Sequence, residues 1–119
     1  MEEQCSREND NKIEVNKAKQ FIKDNCKSID KEADKLALLS NSVRLKIVLL
    51  LKNFKKLCVC DLSEILEVNQ SAISQHLRKL KDGGILGKTR EGLTIYYFID
   101  EANNPDLLGL IEKIFLFKD

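Results

Sequence analysis

The sequence predicts a mainly helical fold with a β-hairpin wing, namely a dimeric winged helix-turn-helix. Two short helical segments flank a tight turn at Val68 and Asn69, and two strand-like segments follow from Ile85. An amphipathic helical segment then follows Pro105. The 119 residues suffice for one domain with its own core and are fewer than two domains usually need.

The N-terminal region is the least apolar part of the chain. Residues 1–11 (MEEQCSRENDN) have no apolar periodicity, which predicts a flexible arm ahead of a domain over residues 12–119. A first helix of about 14 residues is expected from Lys12. Its apolar side chains are Ile13, Val15, Phe21 and Ile22. They are too few to form a core alone, so we expect this helix to pack on a partner.

Two further helices precede the predicted helix-turn-helix. One is expected over residues 31–39, and the sequence Ser40-Asn41-Ser42 then offers side-chain caps for another over residues 43–52. Apolar side chains of the latter recur at helical spacing, which predicts a core element. They are Val43, Ile47, Leu50 and Leu51.

The helix-turn-helix is predicted from capping and turn residues. Asp61 and Glu64 stand three apart before an apolar pair, an arrangement suited to capping a short helix. The turn at Val68 and Asn69 leads into a helix over residues 70–81. The pair Gly83-Gly84 closes that helix, because glycine adopts the positive φ that a helix end often needs.

The last third of the chain predicts a wing and a dimer helix. The segments ILGKTR and LTIYYFI, rich in β-branched and aromatic residues, are separated by a turn at Glu91-Gly92, which is typical of a β-hairpin. Asn104-Pro105 starts the final helix. Its large apolar side chains recur at helical spacing and predict a homodimer interface. They are Leu107, Leu108, Ile111, Ile114 and Phe115.

One face of the 70–81 helix has the composition of a DNA-reading surface. With Ile73 as the reference and about 100° per residue, Leu77 and Leu80 share its direction and are expected to be buried. The remaining face carries polar and basic groups that can reach bases and phosphates in a major groove. They are Ser71, Ser74, Gln75, Arg78 and Lys79, joined by Lys88 and Arg90 in the wing.

The whole chain is nearly neutral, since 20 basic side chains stand against 19 acidic ones and the net charge is +1. The basic character is local to residues 70–98, where five basic side chains stand against two acidic ones. The alternative is a merely solvated helix face. His76, the only histidine, lies about 60° from the core direction, which favours a packed or hydrogen-bonded role over a base contact.

Cysteines supply a candidate metal site. Cys58 and Cys60 stand two apart at a helix start, where an extended or turning backbone can bring both sulfurs to one ion. A regular helix would separate them by about 200°. Two thiolates do not complete a site, so Cys5 or Cys26 are the expected further ligands. The alternative is a pair of small buried hydrophobes.

An all-sulfur ligand set prefers soft ions, namely Cd(II), Pb(II), Hg(II), As(III) or Bi(III), with Zn(II) possible. A second possibility is a repressor that senses redox changes through the same thiols without a metal. An enzyme is disfavoured, since the chain has one histidine and no glycine-rich phosphate loop. We therefore expect no catalytic residues and no small-molecule substrate.

Membrane insertion is also disfavoured, because no apolar run approaches the roughly 20 residues that a span requires. The N-terminus is polar rather than signal-like, and four cysteines do not make a dense disulfide framework. These features predict a soluble, cytoplasmic protein with no membrane partner.

Three segments resemble the ArsR/SmtB family of metal-responsive repressors, and within it the cadmium/lead-sensing branch. They are LCVCDL (57–62), SAISQHLRKLKDGGIL (71–86) and LLSNSVRLKIVLLL (38–51). The resemblance runs over residues 36–100. It implies a homodimer that represses a metal-export or detoxification operon and leaves operator DNA when thiolates bind metal.

The resemblance also implies ligands. Cys58 and Cys60 carry over directly, and the branch adds a thiol from the N-terminal arm, commonly of the other subunit, whose place Cys5 occupies. The family often has two cysteines there and this chain has one, while Cys26 has no clear counterpart.

Some members of the family carry a second, zinc-type site at the dimer helix. Here the position two residues after Asp100 holds Ala102 instead of histidine, and the later ligand positions hold Lys113 and Leu116. That second site is expected to be absent.

Overall fold

The computed structural model describes residues 11–115, with side chains from Glu14 onward. The chain divides into two compact units, the first ending at Ala33 and the second beginning at Asp34. The elements in chain order are α1 (Asn11–Leu39), α2 (Ser42–Phe54), β1 (Lys56–Cys58), α3 (Val59–Leu66), α4 (Gln70–Asp82), β2 (Leu86–Glu91), β3 (Thr94–Ile99) and α5 (Pro105–Ile114).

The first helix corrects a prediction. Two separate helices were expected before residue 40, but a single helix, α1, covers both segments and the residues between them. Neither glycine nor proline interrupts that stretch, and side chains four residues apart hydrogen-bond along it. Gln20 Nε2 donates to Asp24 Oδ1 at 2.8 Å, and Cys26 Sγ donates to Asp30 Oδ2 at 3.7 Å. Local hydrogen bonding therefore carries the helix through the expected break.

Helix α2 begins where its cap predicts. The Asn41 side chain accepts hydrogen bonds from the backbone N–H groups of Val43 and Arg44, at 3.0 and 3.1 Å. Such a bond satisfies donors that the first turn of a helix leaves free. The buried side chains of α2 are Ile47, Val48 and Leu51. The predicted core helix is thus confirmed, with its end two residues later than expected.

The sheet has one more strand than the sequence predicted. Besides the β2–β3 hairpin, the short strand β1 pairs antiparallel with β3, giving the order β1-β3-β2. Leu57 lies opposite Tyr97 and Cys58 opposite Tyr96. A three-residue strand shows no alternation that a sequence pattern could reveal.

The hairpin turn is shifted by one residue from its predicted position. Glu91 still pairs with Thr94, so the two-residue loop is Gly92-Leu93 rather than Glu91-Gly92. Gly92 has φ 66°, a backbone conformation that glycine adopts without a steric penalty.

The core of the second unit joins α2, α3, α4, the sheet and α5. Its fully buried apolar side chains are Ile47, Val48, Leu51, Leu62, Ile73, Leu77, Leu80 and Ile85, and the strands and α5 add the buried side chains Leu86, Ile99, Leu107 and Ile111. Asn104 fixes the start of α5, because its Nδ2 donates to the carbonyls of Gly84 and Asp100, each at 2.8 Å. In the same unit, buried Lys35 donates to the Asn103 carbonyl at 2.8 Å. None of the helices within residues 11–115 is long and apolar enough to cross a membrane.

Candidate nucleic-acid interface and thiol box

Helix α4 presents the face that the sequence predicts. Ile73, Leu77 and Leu80 are completely buried, which confirms the expected core direction. The side chains proposed to read DNA are exposed on α4 and on the β2–β3 hairpin, which we call the wing. They are Ser71, Ser74, Gln75, Arg78, Lys79, Lys88 and Arg90, and together they are called the recognition surface.

The turn before α4 is held by hydrogen bonds from both sides. Asn69 is the N-cap of α4, and its side chain accepts from the Ala72 N–H at 2.8 Å. On the α3 side, Ser63 Oγ donates to the Val68 carbonyl at 2.6 Å. Glu67, at the end of α3, has the left-handed conformation with φ 55°. The start of α4 is therefore placed accurately relative to α3.

His76 links α4 to α2. Arg44 donates from Nε to the Leu38 carbonyl at 2.6 Å and from Nη1 to His76 Nδ1 at 3.2 Å. Burial of the ring lowers the pKa of His76, and the cations of Arg44 and Lys79 lower it further. The neutral ring can accept from arginine, whereas a protonated ring cannot. The predicted hydrogen-bonded role of His76 is confirmed.

Lys88 and Arg90, the basic side chains of the wing, are exposed, and Arg90 also makes a hydrogen bond within the hairpin. Arg90 Nε donates to the Gly92 carbonyl at 3.1 Å. Lys56 of β1, which the sequence reasoning missed, pairs with Glu91 at 2.6 Å and lies 5.0 Å from the centre of the Tyr96 ring. Only the pairing of β1 with the hairpin reveals that this lysine belongs beside the wing.

The segment Leu57–Leu62, called the thiol box, lies where β1 becomes α3. Cys58 is the last residue of β1 and the N-cap of α3, and Cys60 is the second residue of α3. The pair therefore lies at a change from extended to helical backbone, as predicted. Asp61 was expected to cap a short helix, but it lies inside the first turn of α3. From there its side chain accepts a hydrogen bond from the Cys58 N–H at 3.2 Å.

Exposure distinguishes the two box thiols. Cys58 is half-buried and Cys60 is exposed, and both are free. Cys60 therefore does not behave as a small buried hydrophobe. Its Sγ accepts a hydrogen bond from Gln70 Nε2 at 3.6 Å. The sequence reasoning missed Gln70, because the contact depends on how α3 and α4 meet.

The remaining ligand candidates lie elsewhere. Cys26 is exposed on α1 in the first unit, and Cys5 lies outside the described residues. Among residues 11–115, no three histidine, cysteine or acidic side chains gather as a metal site. Leu116, one of the positions at which a second, zinc-type site would have its ligands, also lies outside the described residues. The expected absence of that second site therefore stays a prediction.

Comparison with known sequences identifies a regulatory family. Residues 41–88 match the family described as bacterial regulatory protein, arsR family. The transcriptional repressor PagR of Bacillus anthracis is 41% identical over 87 residues, which are 73% of this chain and 84% of PagR. A cadmium resistance transcriptional regulatory protein, a CadC homologue of Staphylococcus aureus, is 40% identical over 66% of this chain and 62% of its own length.

The arsenical resistance operon repressor of Bacillus subtilis is 37% identical over 70% of this chain and 76% of its own length. Solved structures share the fold. Reduced HlyU of Vibrio cholerae superposes with TM-score 0.66 and 32% identity, over 76% of this chain and 95% of that chain.

The homodimeric winged helix-turn-helix DNA-binding domain Mb0332 of Mycobacterium bovis gives TM-score 0.66 and 28% identity, over 76% of this chain and 82% of that chain. The predicted winged helix-turn-helix fold is confirmed.

Proposed function

Because the chain belongs to the ArsR family of bacterial regulatory proteins, we propose that it is a transcriptional repressor released from operator DNA by a soft ion. Cysteine thiolates of the chain would be the ligands of that ion. One observation carries this proposal: the two cysteines of the thiol box stand at the start of α3, the first helix of the helix-turn-helix. A change at the sulfurs therefore acts directly on the DNA-reading element.

The recognition surface supports the DNA partner. Exposed cations and short polar groups project from α4 and the wing, and a helix with such a face fits the major groove. A cytoplasmic location follows from a DNA target. In this proposal two copies read the two halves of a palindromic site, since a symmetric dimer matches a symmetric operator.

A homodimer is also supported by apolar side chains that the described chain leaves uncovered. Phe21 and Ile22 on α1 are 62% and 54% exposed, and Ile114 on α5 is 60% exposed. Mb0332 is a homodimer. We propose that the dimeric domain predicted over residues 12–119 associates through the helices at its two ends. Of the predicted arm, residues 1–10 lie outside the described residues, and residue 11 already belongs to α1.

The ligand set proposed for the ion is Cys58 and Cys60 together with Cys5 or Cys26. Thiolates bind Cd(II), Pb(II), Zn(II), Hg(II) and As(III). Relatives named for cadmium and arsenical resistance support this class of inducer. Cys58 and Cys60 would hold the ion together with one distant thiolate, and the bound ion would link the start of α3 to that thiolate.

Release requires that the ion bind the DNA-free form more tightly than the DNA-bound form. A coupling free energy of about 1–3 kcal/mol corresponds to a roughly 5- to 150-fold loss of operator affinity. That range suffices to switch transcription.

The test is a fluorescence anisotropy titration with the DNA upstream of the protein's own gene, under reductant. We expect Cd(II), Pb(II), Zn(II), Hg(II) or As(III) to weaken binding, and Mg(II), the control, to leave it unchanged. Cys58→Ser should bind DNA normally and lose the response. The proposal fails if the wild type keeps its operator affinity with every ion, or if Cys58→Ser cannot bind DNA without an ion.

Redox sensing is the second candidate. It is favoured by the exposed, free thiol of Cys60 and by the similarity to HlyU, whose structure is of the reduced protein. Two thiols would give two electrons and two protons to an oxidant and form a disulfide. In that case oxidant releases the operator, reductant restores binding, and Cd(II) under reductant has no effect.

A further inference from the structure

Gln70 joins the thiol box to the recognition helix. It is the first residue of α4, and its side-chain amide donates to Cys60 Sγ at 3.6 Å. Both side chains are exposed. Because Asn69 caps α4 through the Ala72 N–H, the backbone beneath Gln70 is held in place. The side chain of Gln70 is therefore the movable part of this contact.

The same amide lies where a recognition helix meets DNA. In helix-turn-helix proteins the N-terminal residues of the second helix contact base edges. A glutamine amide there can pair with adenine or donate to a phosphate. Gln70 thus has two alternative partners, the sulfur of Cys60 and the operator. Its amide carries two N–H donors, but a bidentate pair with a base needs the amide plane aligned with the base edge. A bond to Cys60 restricts that plane, so the two partners compete for its orientation.

Ion binding changes the strength of one acceptor. A thiol must lose its proton to become a metal ligand. Hydrogen bonds to an ionised acceptor are about twice as strong as those between neutral groups. The Gln70 amide is therefore held more firmly by Cys60 when that sulfur is an ion-bound thiolate.

We propose that Gln70 carries part of the coupling between ion and operator. Resting on the proposed function, this assigns Gln70 as a positioning residue: ion binding at Cys60 withdraws its amide from DNA. Without an ion the contact with Cys60 is the long sulfur hydrogen bond of 3.6 Å, and the amide is able to leave it for the operator.

Gln75 provides a matched control. It is the same residue type on the same helix and is also exposed, and its side chain makes no hydrogen bond to another residue within 11–115. Methionine is close in size to glutamine and has no N–H donor. Gln70→Met and Gln75→Met therefore remove the same chemistry at two positions, of which only one contacts the thiol box.

The experiment measures operator Kd with and without Cd(II), under a non-chelating reductant, for the wild type and both variants. The ratio of the two Kd values is the coupling factor. A hydrogen bond contributes about 0.5–1.5 kcal/mol net, so we expect Gln70→Met to lower the coupling factor roughly threefold to tenfold. Gln75→Met should weaken DNA binding equally in both conditions and leave the factor unchanged within about twofold.

A second readout needs no DNA. In the free protein, Cd(II) should shift the side-chain amide NMR signals of Gln70 and leave those of Gln75 in place. If Cd(II) releases wild-type protein but Gln70→Met keeps the full coupling factor, the inference about Gln70 is wrong and the proposed function stands. If Cd(II) does not release the wild type, the proposed function itself fails. An unmoved Gln70 signal in Cd(II)-bound protein overturns the inference on its own.

Discussion

The recognition surface and the thiol box differ in how much of each the second unit of the chain assembles. The recognition surface stands on side chains that are completely buried in one core, so its geometry is set by ordinary folding. The thiol box holds two proposed ligands, Cys58 and Cys60, and no group of three histidine, cysteine or acidic side chains that could hold an ion forms within residues 11–115. The proposed DNA contacts would therefore all come from one folded unit, whereas the proposed ion site would need a further thiolate from outside that unit.

Weakening the core under α4 sharpens this comparison most. Leu77→Ala removes a fully buried side chain and should lower the free energy of unfolding by about 2–5 kcal/mol. Urea denaturation followed by circular dichroism measures it. Gln75→Ala, on the exposed face of the same helix, is the control and should change stability by less than about 0.5 kcal/mol. A loss below about 1 kcal/mol for Leu77→Ala would show that the core does not hold the helix.

Removing the distant thiols tests the other half of the comparison. The double variant Cys5→Ser/Cys26→Ser should lose at least about 100-fold in Cd(II) affinity, since even outer-shell changes at metal sites cost 10–100-fold. Operator affinity without an ion should stay at the wild-type value. Competition with a chromogenic chelator measures the first quantity, and the single variants assign the ligand. Unchanged Cd(II) affinity in the double variant would break the comparison, because the box would then be sufficient.

Within the recognition surface, Arg78 and Lys88 should act differently. Arg78→Ala should weaken operator binding by about 1–3 kcal/mol if it reads a base, and equally with and without ion. Lys88→Ala should weaken binding to all sequences and reduce the slope of log K against log salt by about 1. Anisotropy titrations over a range of salt measure both. Lys113→Ala on α5 serves as the control, and an equal effect there would refute the assignment.

The smallest expected effect concerns His76. Because its pKa in the folded protein is lowered from the ordinary 6.5, the unfolded chain binds the proton more readily. The stabilisation is present above about pH 6.5 and is lost as pH falls through the lowered pKa of the folded state. Urea midpoints between about pH 5 and 8 should decline towards acid in the wild type and less in His76→Gln. Equal slopes in both proteins would contradict this role.

The recognition surface could be predicted from sequence because helical periodicity decides it. Once Ile73, Leu77 and Leu80 occupy the core, the direction of every other side chain on α4 follows. The thiol box could be predicted only in part. Its position at a helix start is visible in the sequence, but its contact with Gln70 depends on the turn between two helices.

The pairing of β1 with β3 and the continuity of α1 could not be predicted from the sequence, for physical reasons. The strand β1 has three residues, and its place is decided by pairing Leu57 with Tyr97, forty positions later. Residues 26–30, between the two expected helices, contain neither glycine nor proline, and the side-chain bond that spans them, from Cys26 to Asp30, forms only once the helix is continuous. The hairpin turn was misplaced by one position because Gly92 suits either register.

The end of α3 offers a position at which the stability of the protein can be raised. Glu67 ends α3 with φ 55° and ψ 42°, a conformation that costs a residue with a Cβ atom roughly 1–2 kcal/mol and glycine almost nothing. The substitution Glu67→Gly would therefore raise the free energy of unfolding without altering any residue proposed to meet DNA or an ion. The same change would offset part of the loss caused by a destabilising substitution elsewhere in the second unit.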